Sequence, residues 1–184
     1  GCIKDTPEAV REALLMADQT ADVIITSGGV SVGDADHIKP VVEELGRLEL
    51  WKIAIKPGKP FAYGQLSQAQ FFGLPGNPVS ALVTLYKLVL PALQQLMGTQ
   101  TQTPAQHQAV TSTSLKKSVG RLDFQRGMYE VDEHGQLTVT VTGNQNSAIL
   151  TSVSQANCFI VLPAEQGDVS AGETVTIEPF NHLL

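Results

Sequence analysis

The sequence predicts an α/β domain with a mainly parallel sheet, followed by a small all-β domain. Helical and strand patterns alternate over roughly the first hundred residues, the grammar of a sheet covered by helices. The stretch 99–105 (TQTQTPA) holds no apolar repeat and reads as a linker. Beyond it the chain breaks into short alternating segments separated by glycine and polar turns, as in a barrel or sandwich built from hairpins. The expected division is therefore 1–98, 99–105 and 106–184.

The elements follow in order. A first helix is expected over 7–18, because Thr6 can cap it, Pro7 suits the first helical position, and Val10, Leu14 and Ala17 share a face. The apolar run DVIIT at 22–26 is a buried strand. It feeds a glycine-rich loop at 27–33 and then a helix from about Asp36 to Leu45, stopped by Gly46. The strand carrying WKIAIKPGKP (51–60) comes next, then apolar segments at 61–64 and 71–74 and a long helix from Pro78 to Met97, stopped by Gly98. Later strands are expected near 109–112, 122–131, 137–142, 158–162 and 173–178, with turns at 132–135, 143–147 and 165–172. The chain opens GCIKD and runs straight into its first helix, as though earlier strands of the domain had been cut away. An incomplete sheet with an uncovered edge is the expectation.

Composition narrows the function. With 184 residues, 42% of them hydrophobic, the chain can bury a substantial core. Its net charge of −6 argues against a general nucleic-acid or acidic-membrane binder, so any anion site must be local. The two cysteines, Cys2 and Cys158, fit unpaired thiols in a reducing cytosol, and the four histidines show no metal-ligand spacing. The most apolar run, 79–97, is interrupted by Lys87 and Pro91 and suits a packed helix better than a bilayer. No basic-then-apolar leader precedes it, and a cytoplasmic location is expected.

Chemistry could sit in three places. The loop TSGGVSVGDAD (26–36) follows a strand and precedes a helix, where Gly28 and Gly29 let backbone N–H groups approach an anion and Ser27 and Ser31 add hydroxyls. Asp36 either caps the next helix or holds a divalent metal against the anion. The run FGLPGNPVS (72–80) again joins strand to helix, with Asn77 as a helix cap and Pro75, Gly76 and Ser80 around it; two such turns on one sheet edge favour a phosphate-like ligand over capping alone. In WKIAIKPGKP, alternation sends Trp51, Ile53 and Ile55 to one face and Lys52, Ala54 and Lys56 to the other, placing the two lysines about 13 Å apart. Lys59 follows in a Pro-Gly turn. Either these lysines form a solvated edge that blocks pairing or they wall a site for an anion, and the two glycine loops favour the wall.

Taken together, TSGGVSVGDADH, WKIAIKPGKPFAYG, FGLPGNPVSA, RLDFQRG and TGNQNS closely resemble the molybdopterin molybdenumtransferase family of molybdenum-cofactor biosynthesis, which includes the bacterial MoeA proteins and the carboxyl-terminal region of gephyrin. The resemblance runs in order along essentially the whole chain. It implies the later part of a three-layer molybdopterin-binding α/β domain followed by a β-barrel. The implied activity is insertion of molybdate into adenylylated molybdopterin with release of AMP, aided by Mg2+, at a site shared by two subunits of a homodimer. It further implies that Asp36 and Asp5 are acids of the site, with Asp36 at the metal, and that Lys52 and Lys56 are its cations. Gly28, Gly29, Ser31, Pro75, Gly76, Asn77 and Ser80 would form ligand loops, and Arg126 and Ser147 would approach from the barrel. The loop GNQNS departs from the GHQGSH-like run of many members. The related pterin-adenylylating enzyme, a candidate partner, typically reads TTGGTG and lacks a terminal barrel, so it fits less well as an identity. A pterin-binding scaffold or interaction module without catalysis is the remaining alternative.

Overall fold

A computed structural model describes residues 1–30, 37–100 and 103–180. They form two compact units, Gly1–Ile53 with Gly58–Leu90, and Ala54–Pro57 with the chain from Pro91 onward.

The first unit begins with α1 (Pro7–Asp18), whose start is fixed as the cap residue requires: Thr6 is extended and its Oγ1 accepts the Ala9 N–H at 3.3 Å. Then follow β1 (Val23–Ser27), α2 (Ile38–Leu45) and β2 (Arg47–Lys52). The N-cap position of α2 falls on His37, whose side chain makes no capping bond, and Asp36 lies outside the described residues. The short β3 (Ile55–Lys56) belongs to the other unit, and β4 (Pro60–Gln65) and β5 (Gln70–Leu74) return to the first.

The first sheet has the order β1-β5-β4-β2. Alternating helix and strand patterns predict mainly parallel pairing; among the described residues of this sheet β1 with β5 is parallel, and β5/β4 and β4/β2 are antiparallel. Connection length is the reason. Between β4 and β5 the chain turns within 66–69, closed by Leu66 N–H to Ala69 O at 2.9 Å, which is too short for a parallel crossover. Among the described residues no strand pairs beyond β1. Leu14 of α1 and Ile38, Val41 and Val42 of α2 bury against Ile24, Ala62 and Phe71 of the sheet. A fully buried side chain such as Phe71 contributes about 1.5–3 kcal/mol.

A helix runs from Pro78 to Leu96 in three pieces, α3 (Pro78–Thr84), a π-helical turn (Leu85–Val89) and α4 (Leu90–Leu96). Pro91 explains the π turn: it offers no N–H, and its ring displaces the carbonyl four residues back, so Leu90 N–H bonds Leu85 O instead. Gly98 ends the helix at φ +70°, and Thr99 N–H bonds Gln94 O at 3.0 Å. This helix is long and apolar enough to cross a membrane by length and composition. Val79, Ser80, Val83 and Thr84 of α3 and Val89 of the π turn are its buried residues.

The second unit contains β6 (His107–Thr111), β7 (Leu122–Val131), β8 (Leu137–Val141), a four-residue α5 (Thr151–Ser154), β9 (Cys158–Leu162) and β10 (Thr174–Pro179). The pairing β7-β8-β6-β10-β9 returns to β7 and closes a barrel. Closure leaves no free edge among these five strands. Gly127 is where β7 changes partner, from β9 to β8. A Cβ there would stand 2.9 Å from both Ile160 and Val139, so the barrel closes only around a glycine. The hairpin turn at 132–135 is set by Asp132, whose Oδ1 accepts N–H from His134 at 2.9 Å and Gln136 at 2.8 Å. Hairpins alone do not describe the barrel, because β6 and β8 are parallel neighbours and β3 lies parallel to the start of β7.

That last pairing corrects the expectation for WKIAIKPGKP. Ile53 N–H donates to Lys59 O at 3.1 Å, while Ala54 O accepts from Leu122 N–H at 3.0 Å, so the chain leaves one sheet and joins another between adjacent residues. Lys52 ends β2 in the first unit and Lys56 ends β3 in the second. They do not share the face of one strand, and the spacing derived from a continuous strand does not apply.

Candidate functional site

Register places the predicted loops together. Ser27 pairs with Leu74, Gly73 with Ala62, and Lys52 with Pro60. The carboxyl ends of β1, β5 and β2 and the start of β4 therefore lie at one edge of the sheet, and Lys59 immediately precedes β4. In an open α/β sheet this is the edge at which ligands collect. The loop after β1 and the loop after β5 leave it side by side: Gly28 N–H extends the ladder to Leu74 O at 3.0 Å, and Ser27 Oγ donates to Pro75 O at 3.4 Å. A Cβ on Gly76 would come within 3.7 Å of Gly28 Cα.

The glycines are required locally. Gly29 has φ +71°, and a Cβ there would stand 2.7 Å from Ile38 Cδ1. Gly28, at φ +88°, has open space where a side chain would be, so its backbone is bare. Asn77 occupies the N-cap position of α3 with extended backbone, and its carbonyl accepts the Ala81 N–H at 2.9 Å; its side chain makes no capping bond. Lys52 and Lys59 are exposed at this edge, and Gly76 and Asn77 are exposed beside it. Pro75 and Ser80 are buried beneath. Asp5 is exposed just ahead of α1. The other end of that helix is held at the opposite side of the sheet, where Asp18 Oδ1 accepts N–H from Gln68 and Ala69 at 2.9 and 2.8 Å. A cavity of about 190 Å³ lies there, lined by Leu14, Leu45, Leu66 and the already committed Asp18.

Ser31 and Asp36 lie outside the described residues. Among those described, no group of three or more His, Cys, Asp or Glu could hold a metal ion.

Lys56, Arg126 and Ser147 belong to the second unit. Lys56 Nζ sits 3.1 Å from Asp123 Oδ2, with the lysine side chain 40% exposed and the aspartate side chain 3%. Arg126 is 1% exposed, donating Nε–H to Ser152 Oγ at 3.1 Å and Nη2–H to Asn146 O at 3.5 Å. Burial lowers its pKa below the ordinary guanidinium value, and the charge of Asp123 opposes that shift. Gln145 ties the same loop down, accepting the Arg126 N–H at 2.8 Å and donating to Thr142 O at 2.6 Å. Arg126 is thus an internal organiser of the loop 142–152, which carries the half-buried Ser147.

Two residues escaped the sequence reading. Asp123 sits inside RLDFQRG, and its signal was an acid three residues from an arginine in a strand otherwise fit for burial. Thr26, at the carboxyl end of β1, has a buried Oγ1 with no hydrogen-bond partner among the described residues. Nothing in the sequence distinguishes that hydroxyl from an ordinary strand threonine.

Comparison with known proteins bears on this arrangement. Residues 1–95 match the family described as "Probable molybdopterin binding domain", and residues 108–180 match "MoeA C-terminal region (domain IV)". The molybdopterin molybdenumtransferase of Haemophilus influenzae is 55% identical over 100% of this chain and 46% of its own length. Gephyrin of Dictyostelium discoideum is 32% identical over 99% of this chain and 29% of its own. A crystal structure of the molybdopterin biosynthesis protein moeA from Pyrococcus horikoshii aligns with TM-score 0.79 and 30% identity, covering 98% of this chain and 43% of that one. The chain thus spans less than half the length of these relatives.

Proposed function

The chain belongs to the molybdopterin-binding domain family, in the form that carries the MoeA carboxyl-terminal region, and on that premise we propose that it inserts molybdate into adenylylated molybdopterin with release of AMP. One observation carries the proposal: the glycine loops after β1 and β5 leave the same sheet edge as Lys52 and Lys59. The absence of side chains at Gly28 and Gly76 leaves room for phosphate oxygens to approach the backbone of the two loops, and the ammonium groups of Lys52 and Lys59 stabilise negative charge as it develops on the cleaved phosphate. Lys56, in the second unit, is carried as a cation on the resemblance.

Magnesium at Asp36 is part of the proposal. Since no described cluster would hold it, no step is derived through the metal. Asp5, Ser31, Ser80 and Ser147 are carried as ligand-facing residues on the resemblance alone. The reading includes a cytoplasmic homodimer that exchanges substrate with the pterin-adenylylating enzyme, and it assigns 1–98 to the pterin domain, 99–105 to a linker and 106–184 to the barrel.

The test is titration of the chain with adenylylated molybdopterin, followed by addition of molybdate and measurement of AMP. Binding followed by molybdate-dependent AMP release is expected, and Lys52→Ala should weaken binding about tenfold, the loss of one charge-assisted hydrogen bond. Binding without AMP release would leave a scaffold, and no binding would overturn the reading.

A further inference from the structure

Asp123 is a buried charge that the proposed reaction does not use. We propose that it is the positioning residue for Lys56, holding that ammonium so that its remaining N–H donors face a tetrahedral oxyanion. The inference rests on reading Lys56 as a cation of the site.

The parallel pairing of β3 with β7 brings Lys56 and Asp123 into register as direct partners, which fixes both backbones before either side chain is considered. The two side chains then meet at 3.1 Å, with the carboxylate almost fully enclosed and the lysine side chain 40% exposed. A carboxylate this deeply buried requires a partner. Gln125 Nε2 reaches the same oxygen at 3.4 Å but also donates to Lys116 O at 2.9 Å, and a neutral amide cannot balance the charge. Lys56 is the cation in direct contact with it, and the buried Arg126 interacts with the same charge without a hydrogen bond to it among the described residues. An ammonium has three donors and no acceptor. One is taken by Asp123, and two remain. A free lysine is a flexible four-carbon stem that loses rotamer freedom when it grips a ligand, and here Asp123 imposes that order in advance.

The sign of one substitution separates this role from plain charge. Asp123→Asn keeps the size and one acceptor oxygen while removing a negative charge 3.1 Å from the Lys56 ammonium. By Coulomb attraction alone, the variant should bind anions more tightly. If Asp123 positions Lys56, binding should instead weaken about fivefold, as the ion pair that orders the ammonium is reduced to a weaker bond to an amide oxygen.

The experiment measures affinity of the whole chain for molybdate and, separately, for inorganic phosphate in wild type, Asp123→Asn, Lys56→Ala and the double variant. Expected is a loss with Lys56→Ala, a smaller loss with Asp123→Asn, and no further loss when Asp123→Asn is added to Lys56→Ala. The titration in which the losses occur identifies the oxyanion as the metal oxyanion or a phosphate. Unchanged affinity for both anions in Lys56→Ala would remove the reading of Lys56 and this inference with it. A loss in Lys56→Ala with tighter or unchanged binding in Asp123→Asn would overturn the positioning role alone. Equal losses from Asp123→Asn in both backgrounds would show a purely structural carboxylate. Should Asp123→Asn not fold, Asp123→Glu keeps the charge but moves it by one methylene, and the same loss is expected.

Discussion

The residues of the site divide by what the chain asks of each one. Gly28 and Gly29 were legible from sequence because a left-handed backbone at the end of a strand leaves few alternatives, and the structure places both at positive φ. Arg126 was not legible in the same way: an arginine in a glycine-flanked strand looks like a ligand-binding cation, and only its partners Ser152 and Asn146 reveal an internal brace. Sequence displays residue type, whereas burial and partnership arise from chain segments far apart. Thr26 yields a prediction at this scale. Its hydroxyl is buried without a partner among the described residues, so Thr26→Val should leave the ligand-free protein as stable or up to about 1 kcal/mol more stable, because an unsatisfied polar group is removed. Urea denaturation measures it, and a loss of several kcal/mol would contradict the description.

Among the elements, α1 shows how few bonds hold a helix to its sheet. Its last residue, Asp18, receives two backbone N–H groups from the β4–β5 turn. Burial pushes the carboxyl pKa upward, but the bonds from Ala69, Gln68 and Ser67 together outweigh it and leave the value below 3.8. The unfolded chain therefore takes up this proton at higher pH than the folded one. Stability from Asp18 is complete above about pH 5 and drains away as pH falls through the folded value. Asp18→Asn should cost about 1–3 kcal/mol at neutral pH and flatten the acid limb of the stability curve, read by urea titrations from pH 7 down to 3. Element ends such as Thr6-Pro7, Asn77-Pro78 and Gly98 were legible because caps and breakers act within a few residues. The break inside WKIAIKPGKP was not. Trp51 and Ile53 are half-buried, Ile55 is buried and Lys52 exposed, so burial alternates as in one strand. Alternation reports which side is covered and carries no information about which sheet supplies the hydrogen bonds.

At the scale of the whole molecule, the two units are not consecutive in sequence, since Ala54–Pro57 is counted with the barrel although the first unit surrounds it in the chain. A fragment of residues 106–184 would lose β3, the pairing along Leu122–Asp123 and the ion pair of Lys56 with Asp123. Asp123→Asn should therefore stabilise that fragment by about 1–3 kcal/mol by removing a buried charge that has lost its ion pair with Lys56, yet fail to stabilise the intact chain. Thermal melts of the two pairs compare the signs directly. The same interlacing has a consequence in time. During synthesis, Ile55 and Lys56 emerge before β7 exists, and at about 5–20 residues per second their partner is several seconds behind. The early half must carry this short segment as an open loop until the ribosome delivers the strand that receives it, so the barrel sheet is begun inside the first unit's sequence long before it can close.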